Sequence, residues 1–124
     1  MELTTNGAFQ FGNVPVHLSE ITDGLSNTIL AGEKHVPQGT FGVGGLDSSQ
    51  YNGDVLTSCT RPGGRGVGLA QSLDDPAWKF GSYHRNICQF VFCDGSVHAL
   101  PSTTDIGVLG LLTTRDDGQV IPPY

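Results

Sequence analysis

The side chains best suited to nucleophilic or metal chemistry lie close together in the sequence, between residues 80 and 100. They are two histidines, two cysteines and an aspartate: His84, Cys88, Cys93, Asp94 and His98. A histidine beside a carboxylate or thiol can activate a nucleophile, but Asp94 would lie roughly 25 to 30 Å from His84 along an extended strand. Cys88 and Cys93 would point to opposite faces of that strand, and the chain lacks the C-x-x-C spacing of a zinc knuckle. The spacing argues against a catalytic pair and a zinc site, and we expect a protein that is not an enzyme.

Acidic pairs offer a second kind of chemistry, the binding of a hard cation. Asp74 and Asp75 are adjacent, as are Asp116 and Asp117, and both pairs lie in segments rich in turn-forming residues. Carboxylates and free carbonyl groups in turns can converge on Ca²⁺. The sequence contains no D-x-D-x-D-G loop, however, and paired acids in turns commonly cap backbone groups or face water. Calcium is therefore a weak alternative, and we expect no cofactor.

A long segment, residues 37–78, could carry a binding surface. It shows almost no sustained hydrophobic period, and loops of this length in compact domains are commonly functional. Tyr51 within it, Trp78 at its end and Tyr83 just after it could form an aromatic platform for a sugar or a peptide. We therefore keep a small-ligand or carbohydrate-binding module as the alternative function. The Gly-rich residues 63–68 lack the Gly-Lys-Ser/Thr ending of a phosphate-binding loop and predict a flexible loop.

Composition indicates a small acidic domain built from turns and short strands. The 124 residues include 18 glycines and 7 prolines, with 15% charged residues, a profile that favours turns over long helices. The formal net charge of −6 gives no electrostatic support for nucleic-acid binding. No apolar run approaches the roughly 18 residues that span a bilayer, and no signal peptide is visible at Met1. We expect one domain, residues 1–124, with no nucleic-acid partner and no membrane insertion.

The three cysteines do not make an even disulfide framework. Cys59 could bridge to Cys88 or to Cys93, since the last two should lie on opposite faces of one strand. Buried free thiols are the simpler state, because an unpaired cysteine behaves as a small apolar side chain. We expect free thiols.

The clearest structural pattern is a β-hairpin centred on Asp94 and Gly95. Asp-Gly favours a type I′ turn, which requires positive φ at both positions. That turn would pair Phe92 with Val97. The face expected to form the core then holds Cys88, Phe90, Phe92, Val97 and Ala99. His84, which precedes the first strand, is expected to fix the entering loop by hydrogen bonds from its side chain to the main chain.

Further elements extend this hairpin into an α+β domain. Residues 28–33 are rich in β-branched and apolar side chains and predict a strand of the same sheet, with Ile29 and Ala31 on one face. An apolar stripe follows Thr104 and Asp105, either of which could cap a helix. Two further strands are predicted, the first in the glycine-bounded run Gly7 to Gly12 and the second in the run Gln119 to Ile121. We therefore expect an antiparallel sheet with one short C-terminal helix packed on it and a long Gly-rich excursion.

Two blocks of sequence resemble a known family. One is FGSYH at residues 80–84, followed by DGSV at residues 94–97, and the other is DGLSNTILAGE at residues 23–33. In this order they resemble the planctomycete prepilin-like family that carries domain of unknown function 1559, whose architecture is similar to that of secretion pseudopilins. The resemblance implies a pilin-like globular head. It implies signature residues with structural roles at His84, Asp94, Gly95, Asp23, Gly24, Asn27 and Glu33.

The resemblance also implies a location and a kind of partner. Full-length members typically begin with a prepilin signal and a long hydrophobic helix, and neither is visible in this chain. Export to the cell envelope or cell surface is implied, with other pilin-like subunits or surface components as partners. Members commonly have Pro-Gly-Gly after the histidine, where this chain has Arg85, Asn86 and Ile87. Asn86 can adopt a positive φ, whereas Ile87 cannot do so comfortably. We expect a noncatalytic pilin-like head that acts in surface assembly or interaction.

Overall fold

A computed structural model describes residues 6–10, 14–47 and 60–124. Its elements are a 3₁₀ helix at Leu18–Glu20, strand β1 at Ile29–Gly32, strand β2 at Ile87–Phe92, strand β3 at Val97–Pro101 and helix α1 at Ile106–Leu112. The strands form one three-stranded antiparallel sheet in the order β1-β2-β3. A small antiparallel sheet with one short helix confirms the expected α+β fold.

The hairpin of β2 and β3 has a different turn from the predicted one. Of the Asp-Gly pair, Gly95 alone has positive φ, at 85°. The amide of Gly95 donates to the carbonyl of Phe92, and the amide of Phe92 donates to the carbonyl of Ser96. These bonds define a three-residue loop, a type I turn followed by a glycine bulge. The predicted type I′ turn is therefore wrong, although the glycine is still needed for its positive φ.

The longer loop shifts the pairing of β3 by one residue. Val97 pairs with Val91, where the sequence predicts Phe92. Strand β2 keeps its predicted core face, whose residues Cys88, Phe90 and Phe92 are buried. On β3 the two faces exchange, because a shift of one residue moves every side chain to the other side of a sheet. Leu100 is 2% exposed and Val97 is 66% exposed, so the prediction that Val97 and Ala99 face the core is wrong.

The core lies between the sheet and α1. One buried cluster contains Ile29, Leu69, Cys88, Phe90, Phe92, Leu100, Leu109 and Leu112. The ring of Phe80 packs edge-on against Phe90, with the centroids 5.3 Å apart. Strand β1 has a bulge between Ile29 and Ala31. The bulge places Ala31 on the opposite face from buried Ile29, so the prediction that they share a face is wrong.

Helix α1 begins where its capping residue predicts. The Asp105 carboxylate accepts hydrogen bonds from the amides of Gly107 and Val108 at 2.8 and 3.1 Å, which satisfies two of the unpaired donors of the first turn. Leu109 and Leu112 are the buried residues of the helix. The apolar stripe therefore packs on the sheet as predicted.

The Gly-rich segment 63–68 packs on α1. Gly64 is buried, and a Cβ built on it would lie 2.4 Å from the Cα of Gly110 in the helix. Gly64 has a φ of 80° and exchanges two backbone hydrogen bonds of 2.9 Å with Val67. The segment is therefore an ordered turn that packs on the helix through a contact between Gly64 and Gly110. The prediction of a flexible loop is wrong.

The strands predicted near the two ends of the sequence, at residues 7–12 and 119–121, are not found in the described residues. Residues 7–10, the described part of the first, include bends but no strand, and residues 119–121 are irregular. Residues 11–13, Tyr51 and Cys59 lie outside the described residues. In the described ranges no helix is long and apolar enough to cross a membrane.

The side of the sheet opposite the core is uncharged. The residues that alternate with core positions in the described strands include five around Val91: Ala31, Gln89, Val91, Val97 and Ala99. Four of them are exposed, and Val91 is half-buried. Solvent-facing sides of antiparallel sheets normally carry polar or charged side chains. We call these five residues the outer face.

Candidate functional site

Glu33 joins the two sequence blocks that resemble the family. It follows β1 directly, and its Oε1 lies 3.1 Å from the Nε2 of His84 in the loop before β2. Its Oε2 accepts a hydrogen bond of 2.7 Å from the amide of Gln89. The backbone amide of Glu33 donates to the carbonyl of Gln89, and its carbonyl accepts from the amide of Gly81. Glu33 therefore ties β1 to β2 and to the loop that carries His84.

His84 has a carboxylate partner where the sequence predicts main-chain partners. That carboxylate belongs to Glu33 and not to Asp94. The backbone around His84 is also held, because its amide donates to the Ser82 hydroxyl at 3.1 Å and that hydroxyl donates to the main chain at the start of β2 at 2.6 Å. Asn86 has a φ of 62°, the positive value that its residue type predicts. The loop before β2 is thus fixed at several points.

Asp94 stays within its own turn. Its Oδ1 accepts from the hydroxyl and the amide of Ser96 at 2.6 and 2.9 Å, and these bonds hold the pKa of the Asp94 carboxyl below its ordinary value. The Ser96 hydroxyl also lies 3.0 Å from the Nε2 of His98. Here the serine lies between the other two groups, whereas in a Ser-His-Asp triad the histidine lies between them. The arrangement stabilises the hairpin turn.

A cleft of about 310 Å³ opens beside the Glu33–His84 pair. Its lining residues are Glu33, Lys34, Val36, Phe41, Gly81, Ser82, Tyr83 and His84. The Tyr83 hydroxyl donates to the carbonyl of Val36 at 2.9 Å, and the Phe41 ring lies 5.5 Å from the Tyr83 ring at an angle of 45°. The Nζ of Lys34 lies 3.1 Å from a carboxylate oxygen of Asp47. The cleft thus has an aromatic wall and a polar side.

His35 lies behind that aromatic wall. Its side chain is buried, and neither ring nitrogen has a hydrogen-bond partner. The His35 ring is within 15° of parallel to the Tyr83 ring, with centroids 6.4 Å apart. Gly81 leaves room on another side, since a Cβ built there would lie 3.1 Å from the His35 Cβ. His35 therefore supports the inner side of Tyr83.

Three other signature residues form a turn away from the cleft. The Asp23 carboxylate accepts from the amides of Asp117 and Gly118 at 2.9 and 2.8 Å. The side-chain amide of Asn27 donates to the Asp23 carbonyl at 2.9 Å. Gly24 has a φ of 101°, which glycine adopts far more readily than other residues. Asp23 therefore ties the segment after α1 to the turn before β1.

The two described cysteines are free thiols. Burial raises the pKa of Cys88 to about 12, and the negative charge of Glu33 adds to the effect. Burial also raises the pKa of Cys93, with a further contribution from Asp94. The thiolate is the nucleophilic form of cysteine, so neither thiol is activated at neutral pH. Cys59 lies outside the described residues, and its pairing stays a prediction.

The acidic pairs suggested as weak calcium candidates do not come together. Asp75 accepts from a backbone amide and lies 3.2 Å from the Nζ of Lys79. Asp117 accepts from a backbone amide two residues on, and Asp74 and Asp116 are exposed. In the part of the chain that the structure describes, no three His, Cys, Asp or Glu side chains form a group that could hold a metal ion.

Of the three residues predicted to form an aromatic platform, one lies in the cleft. Tyr83 lines the cleft, but Trp78, which is 42% exposed, is not a lining residue. Tyr51 lies outside the described residues. Phe41 is the second ring of the cleft, and neither Phe41 nor His35 gives a signal in the sequence, because the surrounding segment has no hydrophobic period. The only sequence signal that connects Glu33 with His84 is that each belongs to one of the two blocks that resemble the family.

The fold and the site define a small α+β domain in which the signature residues join strands and hold turns. The chain belongs to a family of proteins of unknown function, DUF1559, whose family model matches residues 2–107. The match includes the whole sheet and the start of α1. Comparisons with curated proteins and with solved structures gave no match. The predicted membership of the DUF1559 family is confirmed.

Proposed function

We propose that this domain is the noncatalytic globular head of an exported pilin-like protein, displayed at the cell envelope or cell surface. In this proposal the head acts by contact with other pilin-like subunits or with surface components. The outer face is the observation that carries it.

The outer face has the composition of a contact surface. Val97, the first residue of β3, is 66% exposed and pairs with Val91, and the next pair on this face is Gln89 with Ala99. Contiguous exposed apolar surface marks interaction sites in soluble domains, and Val91, Val97 and Ala99 are neighbours on this face. The chain has a formal net charge of −6, so an uncharged face lets two subunits approach without opposing like charges at the contact. These properties favour assembly through the sheet.

The Glu33–His84 pair supports a structural role more than a catalytic one. A carboxylate can orient an imidazole for catalysis, but a nucleophile must then lie within its reach. The hydroxyls of Ser82 and Tyr83, which line the same cleft, both donate to main-chain carbonyls at 2.6 and 2.9 Å. Cys88 is held as a neutral thiol. The pair is better suited to fixing the loop than to activating a neighbour.

A charge placed on the outer face tests the proposal. The full-length gene product would be expressed in its native cells with Val97→Lys, and surface assemblies would be sheared off, purified and probed for the protein. Val120→Lys is the matched control, because Val120 is 89% exposed and lies outside the outer face. External protease on whole cells would report whether the head is displayed.

We expect the V97K protein to be lost from the surface assemblies and the V120K protein to remain in them. Both variants should fold, since each adds a lysine at an exposed position. Recovery of V97K at the level of V120K would contradict assembly through the outer face. Protection of the wild-type head from external protease would contradict display.

A further inference from the structure

The cleft presents one aromatic ring in a preorganised position. Tyr83 is held at its hydroxyl by the Val36 carbonyl, at 2.9 Å, and its inner side is supported by the nearly parallel His35 ring. It is nevertheless 49% exposed, and Phe41 flanks it. A ring that is already ordered loses little conformational entropy when a ligand stacks on it.

Polar groups with unused hydrogen-bonding capacity face the same space. The Glu33 carboxylate has about four acceptor positions, and its contacts with His84 and the Gln89 amide use two of them. The His84 side chain is 54% exposed. The cleft can therefore offer an acceptor and an imidazole to groups at the edge of a ligand.

The charges that line the cleft select against anionic ligands. Glu33 is acidic and Lys34 is basic, and both line the cleft, with Lys34 also paired to Asp47. A ligand anion would meet the Glu33 carboxylate and the net negative charge of the chain. A neutral ligand avoids this repulsion.

We propose that the cleft binds a neutral saccharide, with the apolar face of a sugar ring on Tyr83 and its hydroxyls on Glu33 and His84. A sugar combines an apolar ring face with hydroxyls that donate and accept, which matches an aromatic wall beside a carboxylate and an imidazole. A volume of about 310 Å³ is at the lower end for small-molecule sites, so a short oligosaccharide segment fits. None of these residues belongs to the outer face, and the inference does not rest on the assembly role.

The test is a titration of the ¹⁵N-labelled protein, followed by amide chemical shifts. The probes are three neutral oligosaccharides, cellohexaose, hexa-N-acetylchitohexaose and maltohexaose, with oligogalacturonate and fully deacetylated chitosan oligomers as anionic and cationic counterparts. Saturable shifts at the amides of Glu33, Ser82 and Tyr83 are expected with at least one neutral probe. The anionic counterpart should bind more weakly.

Variants separate stacking on Tyr83 from general contact with aromatic residues. Tyr83→Ala should weaken binding by about tenfold, the size of effect expected for one aromatic contact. Trp78→Ala removes an exposed ring outside the cleft and should leave the affinity within about twofold of wild type. If the alanine variant at Tyr83 does not fold, as judged from its amide spectrum, Tyr83→Leu keeps apolar volume and should lose the same affinity.

Three results would overturn the inference. One is the absence of saturable shifts with all three neutral probes. Another is an equal loss of affinity in the Tyr83 and Trp78 variants. The third is tighter binding of a charged probe, which would show that charge and not ring stacking selects the ligand.

Discussion

Replacement of Gly64 by alanine is expected to displace the Gly-rich turn, residues 63–68, from helix α1. Gly64 has a φ of 80°, a conformation that strains other L-residues by about 1–2 kcal/mol. The new Cβ would also lie 2.4 Å from the Cα and 3.1 Å from the backbone nitrogen of Gly110. Backbone atoms of a helix cannot rotate away, so the turn or the helix must move, and such overpacking costs about 1–3 kcal/mol. The free energy of unfolding should fall by about 2–5 kcal/mol.

Gly66→Ala is the matched control in the same turn. Gly66 has a φ of 86°, but a Cβ built on it would have nothing within 4 Å. This variant carries only the backbone strain, about 1–2 kcal/mol. Urea unfolding followed by circular dichroism gives both values, and their difference, about 1–3 kcal/mol, measures the contact between Gly64 and Gly110. Equal losses in the two variants would refute the close contact.

Three further measurements test the buried and paired groups. In the native protein at pH 8, iodoacetamide should modify Cys93 faster than Cys88, whose pKa is raised by burial to about 12; equal rates in site-resolved mass spectrometry would contradict this. The hydrogen bond from the Gln71 amide lowers the pKa of Asp75 in the folded protein. The stability that Asp75 contributes is therefore present above its unfolded pKa of about 3.9, and it is lost as the pH falls through the pKa of the folded protein. Asp75→Asn should therefore flatten the loss of stability below about pH 4, and an unchanged urea-midpoint curve would count against it. His35→Leu removes two unpartnered ring nitrogens and should raise the free energy of unfolding by about 1 kcal/mol, as measured by thermal unfolding. A fall of about 1 kcal/mol in that free energy would show that the imidazole has a partner.

Elements that depend on nearby residues could be predicted from the sequence. Asp105 caps α1 through amides two and three residues away, and Leu109 and Leu112 lie on the buried side of the same short helix. The alternation along β2 likewise placed Phe90 and Phe92 in the core. Each of these patterns is complete within one element, so it did not require knowledge of the rest of the chain.

Features that depend on loop conformation or on distant contacts could not be predicted. An Asp-Gly pair fits both a two-residue and a three-residue hairpin loop, and the choice between them decided whether Val97 or Leu100 entered the core. The partner of His84 is Glu33, which follows β1 and lies far away in the sequence. Taken alone, each is a polar residue beside a turn, and nothing in its local sequence specifies the other.

Two copies of this domain that met through the outer face would respond to salt in the opposite way from proteins joined by ion pairs. At low ionic strength the net charge of −6 keeps copies apart. Added salt shortens the range of that repulsion, while burial of side chains such as Val97 is not weakened and is strengthened by sulfate. If that contact forms, self-association should increase as salt is added, and a dilute, low-salt buffer is the condition that favours the monomer.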